Sequence, residues 1–338
     1  MQSITFIIPD LLPSPAAITE NDLPDCQTLV RLLARADRKT CSRDYYQLLF
    51  DLFGMNIADD ADQPIAPLGY FAESGAGTEY CLRADPVHLS ASGEGVVLLD
   101  NFMIGLQAQE AGDIAVDLQP YLDEVGGRLY TPHPGRWYIT FAEPPRIQTT
   151  PLPQVLGRDV STALPAGPDR TRWRQLFNEL QMVLHTSAVN EKREKRGMLA
   201  VNSLWFWGLG TLPPKGHAEF DACFSDDPFV RGLAVLHDIP AAPLPVSAAE
   251  LREQAGAAEH ILVSDDRARQ YQSYGDAPGW LGYVMALESD WLQPLDSALR
   301  RGRLNRLELS TGGMMFSYRR RHQWRLWRRE SLLHLHNH

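Results

Sequence analysis

The sequence predicts an α/β protein with a largely parallel sheet, helices on both of its faces, and a small inserted α+β unit. Short apolar runs closed by Gly, Pro or Asp alternate with stretches of helical periodicity, the pattern of parallel strands joined by crossover helices. A chain of 338 residues with 44% hydrophobic composition can bury one large core or two modest ones without disulfides or a structural metal. Composition shifts near positions 91 and 165 divide it into a first core segment (1–90), an inserted unit (91–165) and a second core segment (166–338).

Residues 4–8 read as a buried strand whose C-terminal end delivers Asp10 into a loop, where α/β proteins place their chemistry. A helix is expected from about Asp25, with Leu29, Leu32 and Leu33 at helical spacing, and residues 45–53 repeat the pattern until Gly54 stops it. Residues 79–83 form a strand terminated by Asp85 and Pro86, residues 96–99 open a new unit, 106–125 return to helix, and 136–141 form a strand. The Pro-rich stretch 144–168 reads as a linker or a long irregular return path. Residues 168–185 carry Trp173, Leu176, Phe177, Leu180 and Val183 on one helical face, and 199–207 form an apolar strand. Helices and strands alternate through 230–237, 249–258, 261–263 and 280–299, and 306–329 form an edge hairpin about Gly312 and Gly313.

The charge balance excludes some functions. A net charge of -10 argues against binding nucleic acid over the whole surface. No apolar run approaches bilayer length, and no basic region precedes the first apolar run as in a signal peptide, so a cytoplasmic protein without a membrane partner is expected. Cys26, Cys41, Cys81 and Cys223 show neither CxxC nor Cys/His spacing, which leaves them as core thiols. Residues 318–329 interleave Tyr318, Trp324 and Trp327 with arginines, as a single-strand nucleic-acid or protein interaction surface does. The favoured reading there is an amphipathic edge strand, its tryptophans on the core and its arginines wet.

Residues 189–210 hold Asn190, Arg193, Gly197, Asn202, Trp207, Gly208 and Gly210 in a pattern that resembles a motif of the archaeal-type cofactor-independent phosphoglycerate mutases. Residues 42–54 resemble that family's nucleophile segment, and 77–87 its arginine-bearing strand, with Arg83 in the arginine position. The segments 83–89 and 202–208 are most similar to a bacterial family, the E-type regulators of pathogenicity factors. The resemblance implies an alkaline-phosphatase-like fold and, for an active member, two divalent ions (Mn, Mg or Zn) that activate a Ser or Thr for in-line phosphoryl transfer.

Such a pair needs about six ligands, mostly Asp and His. The resemblance places Asp10 at the first ligand position, Ser42 at the catalytic nucleophile, and Asp265 or Asp266 at a later metal position. The implied Asp-x-x-x-His segment, residues 261–271, has no His, and the implied Asp-His pair falls on residues 309–314, which offer no ligand. Arg83, Asn190, Arg193, Arg196 and Asn202 are the expected substrate or anion-binding residues, because guanidinium binds phosphate or carboxylate without a metal. The expected function is a regulatory or anion-binding protein with a degenerate metal site, no cofactor, and a small anionic or phosphorylated ligand. The alternatives are an active metal-dependent mutase or phosphatase, and an interaction module using the basic C-terminal strand.

Overall fold

The structure is a computed structural model that describes residues 2–12, 26–42, 44–57, 62–77, 80–92 and 95–328. The strands are β1 (Gln2–Ile7) and β2 (Asp37–Thr40), then β3 (Tyr80–Ser92), β4 (Gly95–Leu99), β5 (Gly127–His133), β6 (Arg136–Phe141) and β7 (Ser203–Gly210). They continue with β8 (Ala222–Ser225), β9 (Ala241–Ala242), β10 (His260–Ser264), β11 (Leu304–Ser310) and β12 (Met314–Arg319). The chain divides into two compact units, Met1–Asn56 with Lys215–His338, and Ile57–Pro214.

The first unit is the expected α/β core, a seven-stranded sheet in the order β2-β12-β11-β1-β10-β8-β9. Strands β11, β1, β10, β8 and β9 run parallel, and only β12 and β2 pair antiparallel at the edge. A parallel strand buried on both faces reads as a nearly continuous apolar run, and Ile4, Phe6, Ile7 and Ile8 supply it, with the one polar residue, Thr5, donating its hydroxyl to Glu308. Phe6 meets Trp291 with ring centroids 5.0 Å apart, beside Leu29, Leu32 and Leu33 of the helix Gln27–Arg35. Elsewhere in the unit Phe50 packs edge-on against Phe229 at 5.3 Å. Gly54 has φ of +63°, and a Cβ there would lie 2.6 Å from the His217 carbonyl oxygen, so only glycine can end this helix.

The helix Gln27–Arg35 has no side-chain cap of its own at Cys26. The N–H groups of its first turn are met from far along the chain, where the buried Glu288 carboxylate accepts from the Thr28 and Leu29 amides at 2.8 and 2.9 Å. Glu288 belongs to a π-helical stretch, Leu287–Leu292, between the helices Ala277–Ala286 and Gln293–Arg300, where a single helix was expected over 280–299. The expected start near Asp25 lies outside the described residues.

The second unit is an antiparallel sheet in the order β4-β3-β6-β5, with β7 also paired to β3. Its bounds are wider than the expected 91–165. The reason is β3, which does not stop at Asp85 and Pro86 but runs thirteen residues and pairs with β4, β6 and β7. A proline costs the ladder one N–H, which the neighbouring pairs compensate. Residues 203–210 therefore fold with the insertion and not with the parallel core.

The C-terminal hairpin is present in β11 and β12. Beyond Arg319 it turns into a short 3-10 helix, Arg320–Trp324. Contrary to expectation, Trp324 and Trp327 are 71% and 77% exposed, whereas Tyr318 and His322 are buried. The arginines are held: Arg325 pairs with Asp37 at 2.6 Å, and Arg328 donates to the Ala36 carbonyl at 2.6 Å. Among the described residues no helix is long and apolar enough to cross a membrane.

Replacing Glu288 by Ala removes two charge-assisted bonds and leaves two buried amides unmet. We expect a loss of about 1.5–3 kcal/mol in unfolding free energy by urea denaturation. A change within about 0.5 kcal/mol, the range for surface substitutions, would refute the capping role.

Candidate functional site

In the first unit the parallel strands β1, β10 and β8 end together, and the segments just after them supply the carboxylates Asp10, Asp265, Asp266 and Asp227. The helix Tyr45–Leu52 brings Tyr45 to this end, where its hydroxyl lies 2.8 Å from Ser264 Oγ and donates to Asp227 at 3.3 Å. Burial raises the Tyr45 pKa well above the usual tyrosine range, with the charges of Asp227 and Asp266 adding to it, so the hydroxyl keeps its proton.

Asp265 is buried and its two oxygens are already engaged. Arg267 grips it bidentately at 2.9 and 2.7 Å, the Arg267 amide donates at 3.1 Å, and the Tyr283 hydroxyl donates at 3.0 Å. Asp10, held at a left-handed φ of 57°, accepts from Arg269 Nε at 3.1 Å. Arg269 lies over the Tyr45 ring, 4.8 Å from its centroid. Burial works against its charge, yet Tyr46, Asp10 and Asp266 together carry the guanidinium above its ordinary range. Partly buried Asp266 is pushed up to about 7 by desolvation and then by the charge of Asp227.

These positions do not converge on a metal site. Among the described residues no group of three or more His, Cys, Asp and Glu side chains is placed to hold an ion. Two of the four carboxylates are bound to arginine, Asp227 caps the helix Pro228–Leu236 through the Phe229 amide, and Ser310 and Thr311 end β11 without an imidazole. A divalent pair, which needs unpaired basic ligands on several sides, does not fit this donor set. His334, His336 and His338 lie outside the described residues.

Ser42 is half-buried, just after β2. Its hydroxyl accepts from the Asp44 amide at 3.2 Å, and the helix it was expected to open is capped by Asp44, whose carboxylate accepts from the Gln47 amide at 2.8 Å. No imidazole or carboxylate hydrogen-bonds the Ser42 hydroxyl among the described residues, so nothing there takes its proton.

The expected anion-binding residues belong to the second unit, and most of them are internal fasteners. Arg83 is buried and grips Asp85 at 3.0 and 2.8 Å between the rings of Tyr138 and Trp207, 5.2 and 4.9 Å away. Asp85 also accepts from the Trp137 amide at 3.1 Å and Trp207 Nε1 at 2.8 Å. Burial nonetheless raises the Asp85 pKa, with Arg83 opposing it.

Arg193 is fully buried and donates to the Leu199 carbonyl at 2.9 Å, Glu110 at 2.5 Å and the Ile104 carbonyl at 2.6 Å. Asn190 joins the Leu184 and Val201 carbonyls, each at 2.7 Å, and Asn202 bonds both backbone groups of Leu89, at 2.7 and 2.9 Å. Arg196 alone of this set is exposed. The sequence motif thus marks how β7 and the preceding helix are tied into the second unit. The residues that reasoning from sequence passed over are Arg267, Arg269, Tyr45, Tyr283 and Asp227. The signal for the first two was the pair of arginines two and four positions after Asp265.

No family model matches the chain. Its sequence is similar to the 2,3-bisphosphoglycerate-independent phosphoglycerate mutase of Methanothrix thermoacetophila, 26% identical over 144 residues, or 41% of this chain and 36% of that protein. It is also similar to the corresponding mutase of Methanosarcina mazei, 33% identical over 66 residues, or 20% of this chain and 17% of that protein. The matched region thus spans little more than a third of the Methanothrix protein's length. Among solved structures, a cofactor-independent phosphoglycerate mutase from Thermoplasma acidophilum aligns over 94% of this chain and 90% of its own, with 16% identity and a TM-score of 0.47. A Pyrococcus horikoshii protein aligns over 94% and 86%, with 11% identity and a TM-score of 0.48.

If Arg193 fastens the second unit, Arg193→Ala destabilises the protein by about 3–5 kcal/mol, the cost of leaving a pair's partner unmet, while Arg196→Ala stays within about 0.5 kcal/mol. Equal, small effects of the two changes in urea denaturation would contradict the assignment.

Proposed function

We propose that this chain is a phosphoglycerate mutase-like protein in which guanidinium groups stand where the resemblance implies metal ligands. On this reading it works as a cytoplasmic regulatory protein of the E-type regulator-of-pathogenicity-factors kind, by binding and without metal-assisted phosphoryl transfer. One observation carries the reading. Four residues after Asp265, where the resemblance implies a histidine, the chain has Arg269, and this arginine grips Asp10 at 3.1 Å. A cation built into the fold at the position of an imidazole ligand compensates the carboxylates and competes with any divalent ion for them.

The chemistry follows from charge. Two divalent ions would supply four positive charges, a lowered pKa for a bound oxygen, and open coordination positions. Arg267 and Arg269 supply two delocalised charges, no open coordination position, and only hydrogen bonds to an approaching anion. The Ser42 hydroxyl, without a base, is a weak nucleophile. A small anionic or phosphorylated ligand at these strand ends would meet Arg267, whose side chain is 52% exposed, and not the buried Arg83 or Arg193.

The test is a mutase and phosphatase assay of the full chain with Mn, Mg or Zn, with and without chelator. The expected result is no chelator-sensitive turnover and no difference between wild type and Ser42→Ala. Turnover of a phosphoester abolished by both chelator and Ser42→Ala would overturn the proposal.

A further inference from the structure

At the opposite end of the same parallel sheet, where β1, β10 and β11 begin, the first unit contains a cavity of 270 Å³. Ile4, Leu251 and Ile261 are among the side chains that line it, and Arg252, Arg301 and Arg303 border it as well. No Asp or Glu is among its lining residues. Among the described residues no ion pair or side-chain hydrogen bond engages any of the three guanidinium groups, which are exposed on the helix Ala248–Ala255 and on the turn between the helix Gln293–Arg300 and β11. This differs from the strand ends, where Arg267 and Arg269 are both held by carboxylates.

We infer that this cavity is a binding site for a small amphipathic carboxylate, its apolar body in the cavity and its carboxylate at the three arginines. The apolar walls gain from excluding water, so they select a hydrocarbon body. The volume lies just below the usual range of roughly 300–1,000 Å³ for small-molecule pockets, which sets the body as compact. Guanidinium forks match a carboxylate in two parallel bonds, and three of them bordering one apolar cavity favour an anion over a neutral head. An acid with no apolar body would meet only exposed, screened arginines and bind weakly. The site stands whether or not the other end of the sheet performs chemistry.

Titration calorimetry of the full chain with octanoate and benzoate, against octanol and benzyl alcohol, tests the inference. 3-Phosphoglycerate serves as an anion without an apolar body. The acids are expected to bind saturably and about tenfold or more tighter than the matched alcohols, with the difference shrinking at high salt. The double change Arg301→Gln and Arg303→Gln, at exposed positions, should remove most of that difference. Ala298→Trp, which fills the cavity, should abolish binding of acid and alcohol alike while far-UV circular dichroism confirms the fold. Equal binding of acid and alcohol, binding that survives the double change undiminished, 3-phosphoglycerate binding as tightly as octanoate, or no saturable binding would each overturn it.

Discussion

A carboxylate placed below the surface of a fold must find a cation or give up its charge. In this protein an arginine from the same unit answers that demand repeatedly. Asp265 has Arg267, Asp85 has Arg83 and Glu110 has Arg193, and at the surface the half-exposed Asp10 has Arg269. Much else in each unit is arranged around these pairs. Tyr283 and Tyr45 complete the shell at the parallel strand ends, and Trp207, Tyr138 and the Trp137 amide complete it in the antiparallel sheet. The polar residues that look most like recognition chemistry in the sequence are therefore mostly internal fasteners.

That choice has a chemical consequence at the strand ends. Guanidinium is planar, stays protonated and directs its donors along a fixed fork, so it neutralises a carboxylate without activating an oxygen nucleophile. Asp266, which makes no hydrogen bond to an arginine among the described residues, is the one whose pKa rises to about 7, because desolvation and then the charge of Asp227 favour its neutral form. Arg267 and Arg269 thus offset part of the cluster's negative charge from within the fold.

The parallel core was legible because its signals are local. The run from Ile4 to Ile8, the apolar stretch about Ile261–Val263 and the leucine spacing of Gln27–Arg35 each announce their element. The insertion's bounds were hidden because they depend on β3 pairing with β7, a contact between residues as far apart in sequence as Asp85 and Trp205. The aromatic and basic tail defeated period-two reasoning: the strand stops at Arg319, and the following arginines bond backbone near Arg35 and Ala36, which leaves Trp324 and Trp327 outward. At the candidate site, Asp10 and Asp265 were correctly located at strand ends. What their oxygens touch was not readable, since the partners Arg267 and Arg269 lie on the helix two and four residues past Asp265, the second reaching Asp10 from far along the chain, and the sequence does not say whether those arginines turn inward. Arg83 and Arg193 show the converse, being in register with a motif yet buried.

The central claim is that Arg267 and Arg269 hold the carboxylates that a divalent ion would need. Its most direct test is a titration of the purified, chelator-treated full chain with Mn, read by the electron paramagnetic resonance of the unbound ion. We expect all added Mn to remain free at micromolar concentrations. Two tightly bound equivalents per chain, lost on changing Asp10 and Asp265 to Asn, would contradict the account.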